Sequence, residues 1–287
     1  MQEIAPGIFV ESRYPPYNVG LIVTDNGAIV VDIPPRPSHA WAWNEQVEQV
    51  AGKPRYAILT DATPERQIAA SLWNVPIIAA TVALRSLATY DEREWRDMLQ
   101  AYSAQYPEEA DELTKIRPHL PTLACDTRMF LHHRTPSITL ETVAGAAPGS
   151  LWVILADQGV LFAGDTISVD EPPPLNVTPD SKGWLSTLST LARRTAIRQI
   201  VPGRGKAPIQ HGDIEMQREF LRVMRRTART LANSNSVHLA QCAQDLGQAF
   251  YNAKGQKAVK RIRAGLEHFV AELQEGQPGM GEEENSE

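Results

Sequence analysis

Two stretches of this chain share one design, and that repetition limits its fold more than any other feature of the sequence. Leu21 to Asp32 and Trp152 to Asp165 each comprise an apolar strand, a turn ending in glycine (Gly27, Gly159), and a second apolar strand ending in aspartate. Glycine at the close of the turn supplies the positive φ that a tight hairpin needs. Each hairpin is followed by a helical stretch, Pro37 to Ala51 and Asp180 to Arg194, and later by a strand that ends in a loop, at Thr60 and at Gly203. Two halves of this kind pack as two sheets face to face with helices outside. The expected fold is therefore an α/β four-layer αββα sandwich, with the loops that carry function at the edge where the strands end.

One of those loops is Ala57-Ile-Leu-Thr60-Asp61-Ala62-Thr63-Pro64-Glu65-Arg66. The apolar run Tyr56 to Leu59 stops at Thr60 and gives way through Pro64 to a helical segment, Glu65 to Trp73, so the local structure reads as strand, tight loop and helix. Four other blocks stand in a fixed order: Ala28 to Pro35, Gly145 to Ser150, Val160 to Thr166, and Ile200 to Gly205. In these blocks, which span most of residues 5 to 210, the chain resembles the metallo-β-lactamase-fold hydrolases, whose corresponding loop reads Thr-His-x-His-x-Asp-His.

Carried over position by position, the resemblance places that family's metal-ligand positions on Asp61, Thr63, Glu65, Arg66, Ala146, Asp165 and Arg204. Asp165 alone keeps the residue type the pattern implies. Zinc needs three or four N, O or S donors at about 2.0–2.3 Å, and arginine offers only donors and stays protonated. The resemblance implies zinc, but the ligands are absent, so no metal and no cofactor are expected and no catalytic residue is assigned. Arg66 and Arg204 bring two fixed positive charges to Asp61, Glu65 and Asp165, and arginine grips carboxylates through paired hydrogen bonds. An ion-pair network in place of the metals is expected; the alternative is that both arginines face solvent.

The chain has 287 residues, 43% hydrophobic and 22% charged, enough for a large core in one or two domains. The stretch from Met1 to Pro6 is neither basic nor followed by an apolar core, and no apolar run approaches the roughly 18 residues of a membrane span, so a cytoplasmic location without membrane contact is expected. Cys125 and Cys242 form no Cys-x-x-Cys pattern and read as free thiols.

The sandwich is expected over residues 1–210, interrupted by a mostly helical insertion from about Thr81 to Arg134. Asp91 caps a helix there, along which Trp95, Met98, Leu99 and Tyr102 recur at helical spacing. His119, His132 and His133 lack ligand spacing and read as structural more readily than as a relocated metal site. Glu171 to Pro179 is too rich in proline for helix or central strand. Residues 211–273 read as a helical extension in three segments, about Asp213–Leu231, Val237–Tyr251 and Lys254–Leu273, followed by a disordered acidic tail over 274–287. Between 211 and 273 stand ten Lys/Arg against six Asp/Glu, in a protein of net charge −6. Arg218, Arg222, Arg225 and Arg229 form a basic stripe that reads either as a solvated helix face or as a surface for an acidic protein.

Other chemistries fit poorly. Gly203-Arg204-Gly205-Lys206 lacks the spacing of a phosphate loop, and no Gly-x-Ser-x-Gly surrounds Ser150. Three readings of function follow. The first is a catalytically silent metallo-β-lactamase-like protein whose cavity takes an anionic small molecule, held by Arg66 and Arg204. The second is a hydrolase with a carboxylate-rich or relocated site for a hard cation such as Mg²⁺ or Mn²⁺. The third is an interaction module using the basic C-terminal helices, with a protein favoured over nucleic acid as partner.

Overall fold

The computed structural model describes residues 1–134, 136–233, 238–252 and 256–275. The acidic tail beyond Glu275, and Val237 and Lys254 at the expected starts of two helices, lie outside the described residues. The first sheet runs in chain order: β1 (Gln2–Ala5), β2 (Ile8–Glu11), β3 (Val19–Thr24), β4 (Gly27–Val31), β5 (Pro54–Ile58), β6 (Ile77–Ala80) and β7 (Leu123–Cys125). The second contains β8 (Arg128–Leu131), β9 (Ile138–Thr142), β10 (Leu151–Leu155), β11 (Val160–Ser168) and β12 (Gln199–Arg204), with β12 and β8 at its edges. The two repeated hairpins are β3–β4 and β10–β11, both antiparallel, and their turns close on Gly27 (φ +112°) and Gly159 (φ +67°). The strands that follow them, β5 and β12, pair in parallel with the second strand of each hairpin.

Alternation along the strands sorts side chains into layers. Leu21, Val30 and Ala57 pack with Trp43 and Val47 of α1 (Pro37–Ala51) on the outer face of the first sheet. Ile22, Ile29, Val31 and Ile58 meet Val153, Val160 and Phe162 between the sheets. Trp152, Leu161 and Ala163 face outward from the second sheet onto Trp184 and Leu188 of α6 (Ser181–Leu191). Successive residues of a strand point to opposite faces, so three cores separate four layers and the molecule is an αββα sandwich.

The insertion is helical only in part. After β6 come α3 (Thr81–Thr89), α4 (Glu92–Gln105) and the short α5 (Ala110–Leu113). Asp91 accepts from the backbone N–H of Arg93 and Glu94, while the Glu94 side chain accepts from the Asp91 N–H, a reciprocal cap that fixes where α4 starts. Trp95, Leu99, Tyr102 and Leu113 then close on Ile68 of α2 (Pro64–Ala70) in a core of their own. Beyond Leu113 the helical expectation fails: β7 and β8 extend the two sheets instead.

Helices α7 (His211–Ala232), α8 (Leu239–Tyr251) and α9 (Gln256–Glu275) complete the chain. Ile214, Leu221, Met224 and Ala228 of α7, with Ile262, Leu266 and Phe269 of α9, belong to the same core as Trp152 and Trp184. Among the described residues no helix is long and apolar enough to cross a membrane.

Candidate functional site

Residues at or just beyond three strand ends, one within a fourth strand and one on a helix converge on a single buried cluster. Asp32 follows β4, Asp61 follows β5, Asp165 lies on β11, Arg204 ends β12, and Arg66 stands in the first turns of α2. The Asp61 carboxylate accepts from the Thr63 N–H (2.8 Å) and hydroxyl (2.6 Å), a local turn that sets the entry to α2. Asp32 adopts φ 57°, uncommon for a residue with a side chain, and accepts from the Thr60 N–H (2.9 Å) and hydroxyl (2.6 Å). Two glycines let the strands close in. A Cβ on Gly164 would lie 2.6 Å from Thr60, and one on Gly203 would lie 2.2 Å from the Asp165 carboxylate. The pairing of β11 with β12 shifts register on both sides of Gly164, so β11 runs on to Ser168 where the sequence suggests an end at Asp165.

The cluster is built around a fully buried guanidinium. Arg66 Nη1 donates to Asp61 Oδ2 (2.8 Å) and Asp165 Oδ2 (3.1 Å), and its Nε lies 3.0 Å from Asp32 Oδ2. Its plane covers the Tyr17 ring, with the central carbon 4.3 Å from the ring centroid. Arg204 approaches from the other side, its Nε 3.1 Å from Asp165 Oδ1 and its Nη2 3.1 Å from Asp165 Oδ2. Three carboxylates face two guanidiniums, which leaves one negative charge in excess where water is excluded. Burial raises the Asp61 carboxyl to about 6, against the pull of Arg66, and the neighbouring Asp165 adds to the rise. Burial also raises Asp165, but Arg204 and Arg66 outweigh it and hold that group at about 2. Burial disfavours the charge of Arg66 itself; the three carboxylates outweigh it and hold the guanidinium protonated.

The fold is shared with solved structures. A metallo-beta-lactamase family protein from Thermus thermophilus superposes with a TM-score of 0.65 at 15% identity, over 95% of this chain and 95% of that one. The chain has the metallo-β-lactamase fold. A Beta-lactamase domain protein from Burkholderia ambifaria gives 0.66 at 16% identity, covering 96% of this chain and 89% of that chain. A metallo-beta-lactamase from Erythrobacter litoralis gives 0.56 at 16% identity over 77% and 95%. No family model and no curated protein matches the sequence.

The metallo-β-lactamase fold implies zinc, and the donor set at this position does not fit it. Asp32, Asp61 and Asp165 spend oxygens on Arg66 and Arg204, and the Arg66 guanidinium takes up the space among them. Among the described residues, no group of three or more His, Cys, Asp or Glu side chains is arranged to hold a metal ion. The histidines of the insertion stay apart: His119 contacts the Trp73 carbonyl, His133 lies by Asp25, and His132 stacks on Phe130.

Above the cluster of this metallo-β-lactamase-fold protein lies a cavity of about 410 Å³. Thr63, Glu65 and Ile68 of the α2 segment line it, with Met98 and Tyr102 of α4, Asn176 and Val177 of the proline-rich loop, Arg204, and Arg261 of α9. The residues marked in the sequence divide between the two places. Asp61, Arg66, Asp165 and Arg204 are in the ion-paired cluster, and Thr63 supports it. Glu65 is not part of the network; it makes no ion pair with a described residue and faces the cavity instead. Ala146 is buried in the outer core against α6, with its carbonyl accepting from the Thr178 hydroxyl (3.1 Å). Sequence reasoning misses Asp32 and Tyr17 as site residues. The one signal for Asp32 is its place as the aspartate closing the first repeated hairpin.

The basic stripe needs correction too. Arg225 is buried and reaches Ser181 and Glu272, so it belongs to no surface. Arg218 pairs with Glu215, Arg222 pairs with Glu215 and Glu219, and Arg229 is exposed. Acids on the same helix offset much of the positive charge.

Proposed function

We propose that this protein is a catalytically silent member of the metallo-β-lactamase fold group, in which a cation belonging to the chain stands where the fold's hydrolases carry theirs, and that the cavity above it binds a small molecule through Arg204. The observation that carries this reading is the Arg66 guanidinium among Asp32, Asp61 and Asp165, with none of its surface exposed. A metal ion there would have to displace a group tethered to α2 and break its ion pairs with all three carboxylates. The cluster offers no general base for a related reason: Asp32, Asp61 and Asp165 are ion-paired to guanidiniums and buried. Arg66, spent on carboxylates, is unavailable to a ligand; Arg204 lines the cavity and has its Nη1 free of acceptors among the described residues.

Elemental analysis of the purified, untagged protein for Zn, Fe, Mn and Mg tests the silent site, combined with assays on β-lactam, thioester, lactone and phosphodiester probes. The expected result is metal far below one equivalent and no turnover. Near-stoichiometric metal, or turnover that Asp61→Asn abolishes, would overturn the reading and favour a carboxylate-bound Mg²⁺ or Mn²⁺ hydrolase.

A further inference from the structure

Two opposite charges line the cavity without pairing directly. Glu65 and Arg204 share its wall without forming an ion pair, although each lies within the other's field: the Glu65 charge, after that of Asp165, helps hold Arg204 protonated against burial. Glu65 has no hydrogen-bond or ion-pair partner among the described residues, and Arg204 keeps Nη1 open while Nε and Nη2 hold Asp165. The second arginine on the wall, Arg261, is already engaged with Glu171 and the Pro172 carbonyl. Ile68, Met98 and Val177 give the cavity an apolar side.

Charge accounting selects among ligands. A simple anion on Arg204 would have Glu65 beside it and, behind it, a cluster with one carboxylate in excess of its guanidiniums. A simple cation on Glu65 would face Arg204. A molecule carrying both charges satisfies both walls, and charge-assisted hydrogen bonds of this kind are the strong ones. The volume of about 410 Å³ falls in the range usual for small-molecule sites, roughly 300–1,000 Å³.

We propose that the cavity takes a zwitterionic α-amino acid with an apolar side chain, its carboxylate on Arg204 Nη1, its ammonium on Glu65, and its side chain against Ile68, Met98 and Val177. This rests on the small-molecule role proposed above and names the ligand class.

The test is isothermal titration of the full chain with L-leucine, with 4-methylpentanoate, which lacks the ammonium, and with 3-methylbutylamine, which lacks the carboxylate. Leucine is expected to bind at least about tenfold more tightly than either analogue. Glu65→Gln is expected to remove that advantage while the protein still folds and melts cooperatively, because the Glu65 side chain makes no hydrogen bond or ion pair with a described residue. Met98→Trp, which fills the apolar side, is expected to abolish leucine binding and serves as a second variant. If 4-methylpentanoate binds as well as leucine and Glu65→Gln changes neither, the amino-acid assignment is overturned while the small-molecule role stands. If none of the three binds, both are overturned.

Discussion

Arg66 shows how much one side chain can be asked to do. Fully buried, it meets three carboxylates and an aromatic face, so deleting it strands buried negative charge. Removing one partner of a buried ion pair typically costs about 3–5 kcal/mol. Arg66→Ala is expected to lose that much in urea denaturation, and Arg66→Lys part of it, since an ammonium is a point charge and cannot span three acceptors. The Asp61 carboxyl adds a pH signature. Its folded value of about 6 lies above the ordinary 3.8, so its contribution to stability is full below 3.8 and is lost as pH rises through 6. Asp165 has the opposite sign: held at about 2, its contribution is present above 3.8 and lost as pH falls through 2. Between about pH 4 and 7 the wild type is therefore expected to lose stability relative to Asp61→Asn as pH rises, and parallel profiles would refute the assignment. The arginines of this cluster are legible in the sequence because the resemblance marks their positions, Arg66 in the loop motif and Arg204 in the block Ile200 to Gly205. Asp32 is not, because its role depends on a φ of 57° and on Thr60, which only tertiary structure brings together.

Among the elements, α9 lines the cavity with Arg261 and backs one of its walls. The proline-rich loop that forms one wall is held from behind: Leu175 packs on Gly265, the Thr178 carbonyl meets His268 Nε2 at 2.6 Å, and Arg261 holds Glu171. A Cβ on Gly265 would come within 2.4 Å of Leu175. Gly265→Leu is thus expected to push the loop off α9 and speed amide exchange across residues 171–179, while exchange in β3 and β4 stays as in the wild type. Helix α4 is readable from sequence because a reciprocal cap and a helical apolar stripe agree over fourteen residues. Strands β7 and β8 are hidden for the converse reason. They have three and four residues, lie at sheet edges and are half exposed, so their alternation is too short to rise above the helical pattern beside it.

At the scale of the whole molecule, the repeated hairpins make the sandwich legible, since each repeat carries its own pattern of strand, turn, strand and helix. The division after residue 210 is less clear-cut in the fold than in composition. Ile214, Phe220 and Met224 complete the core that Trp152 and Trp184 begin, so a chain ending at 210 is expected to expose that surface and to fail to give a soluble, cooperatively melting product. The buried cluster has a consequence of its own for how the protein comes into being. A cation that arrives on the chain is present at one equivalent from the moment of synthesis, and can be neither scavenged nor exchanged for a competitor. Under the proposed function, maturation of this centre ends with folding, with no loading step to follow. Melting curves recorded with and without a strong chelator are expected to superimpose.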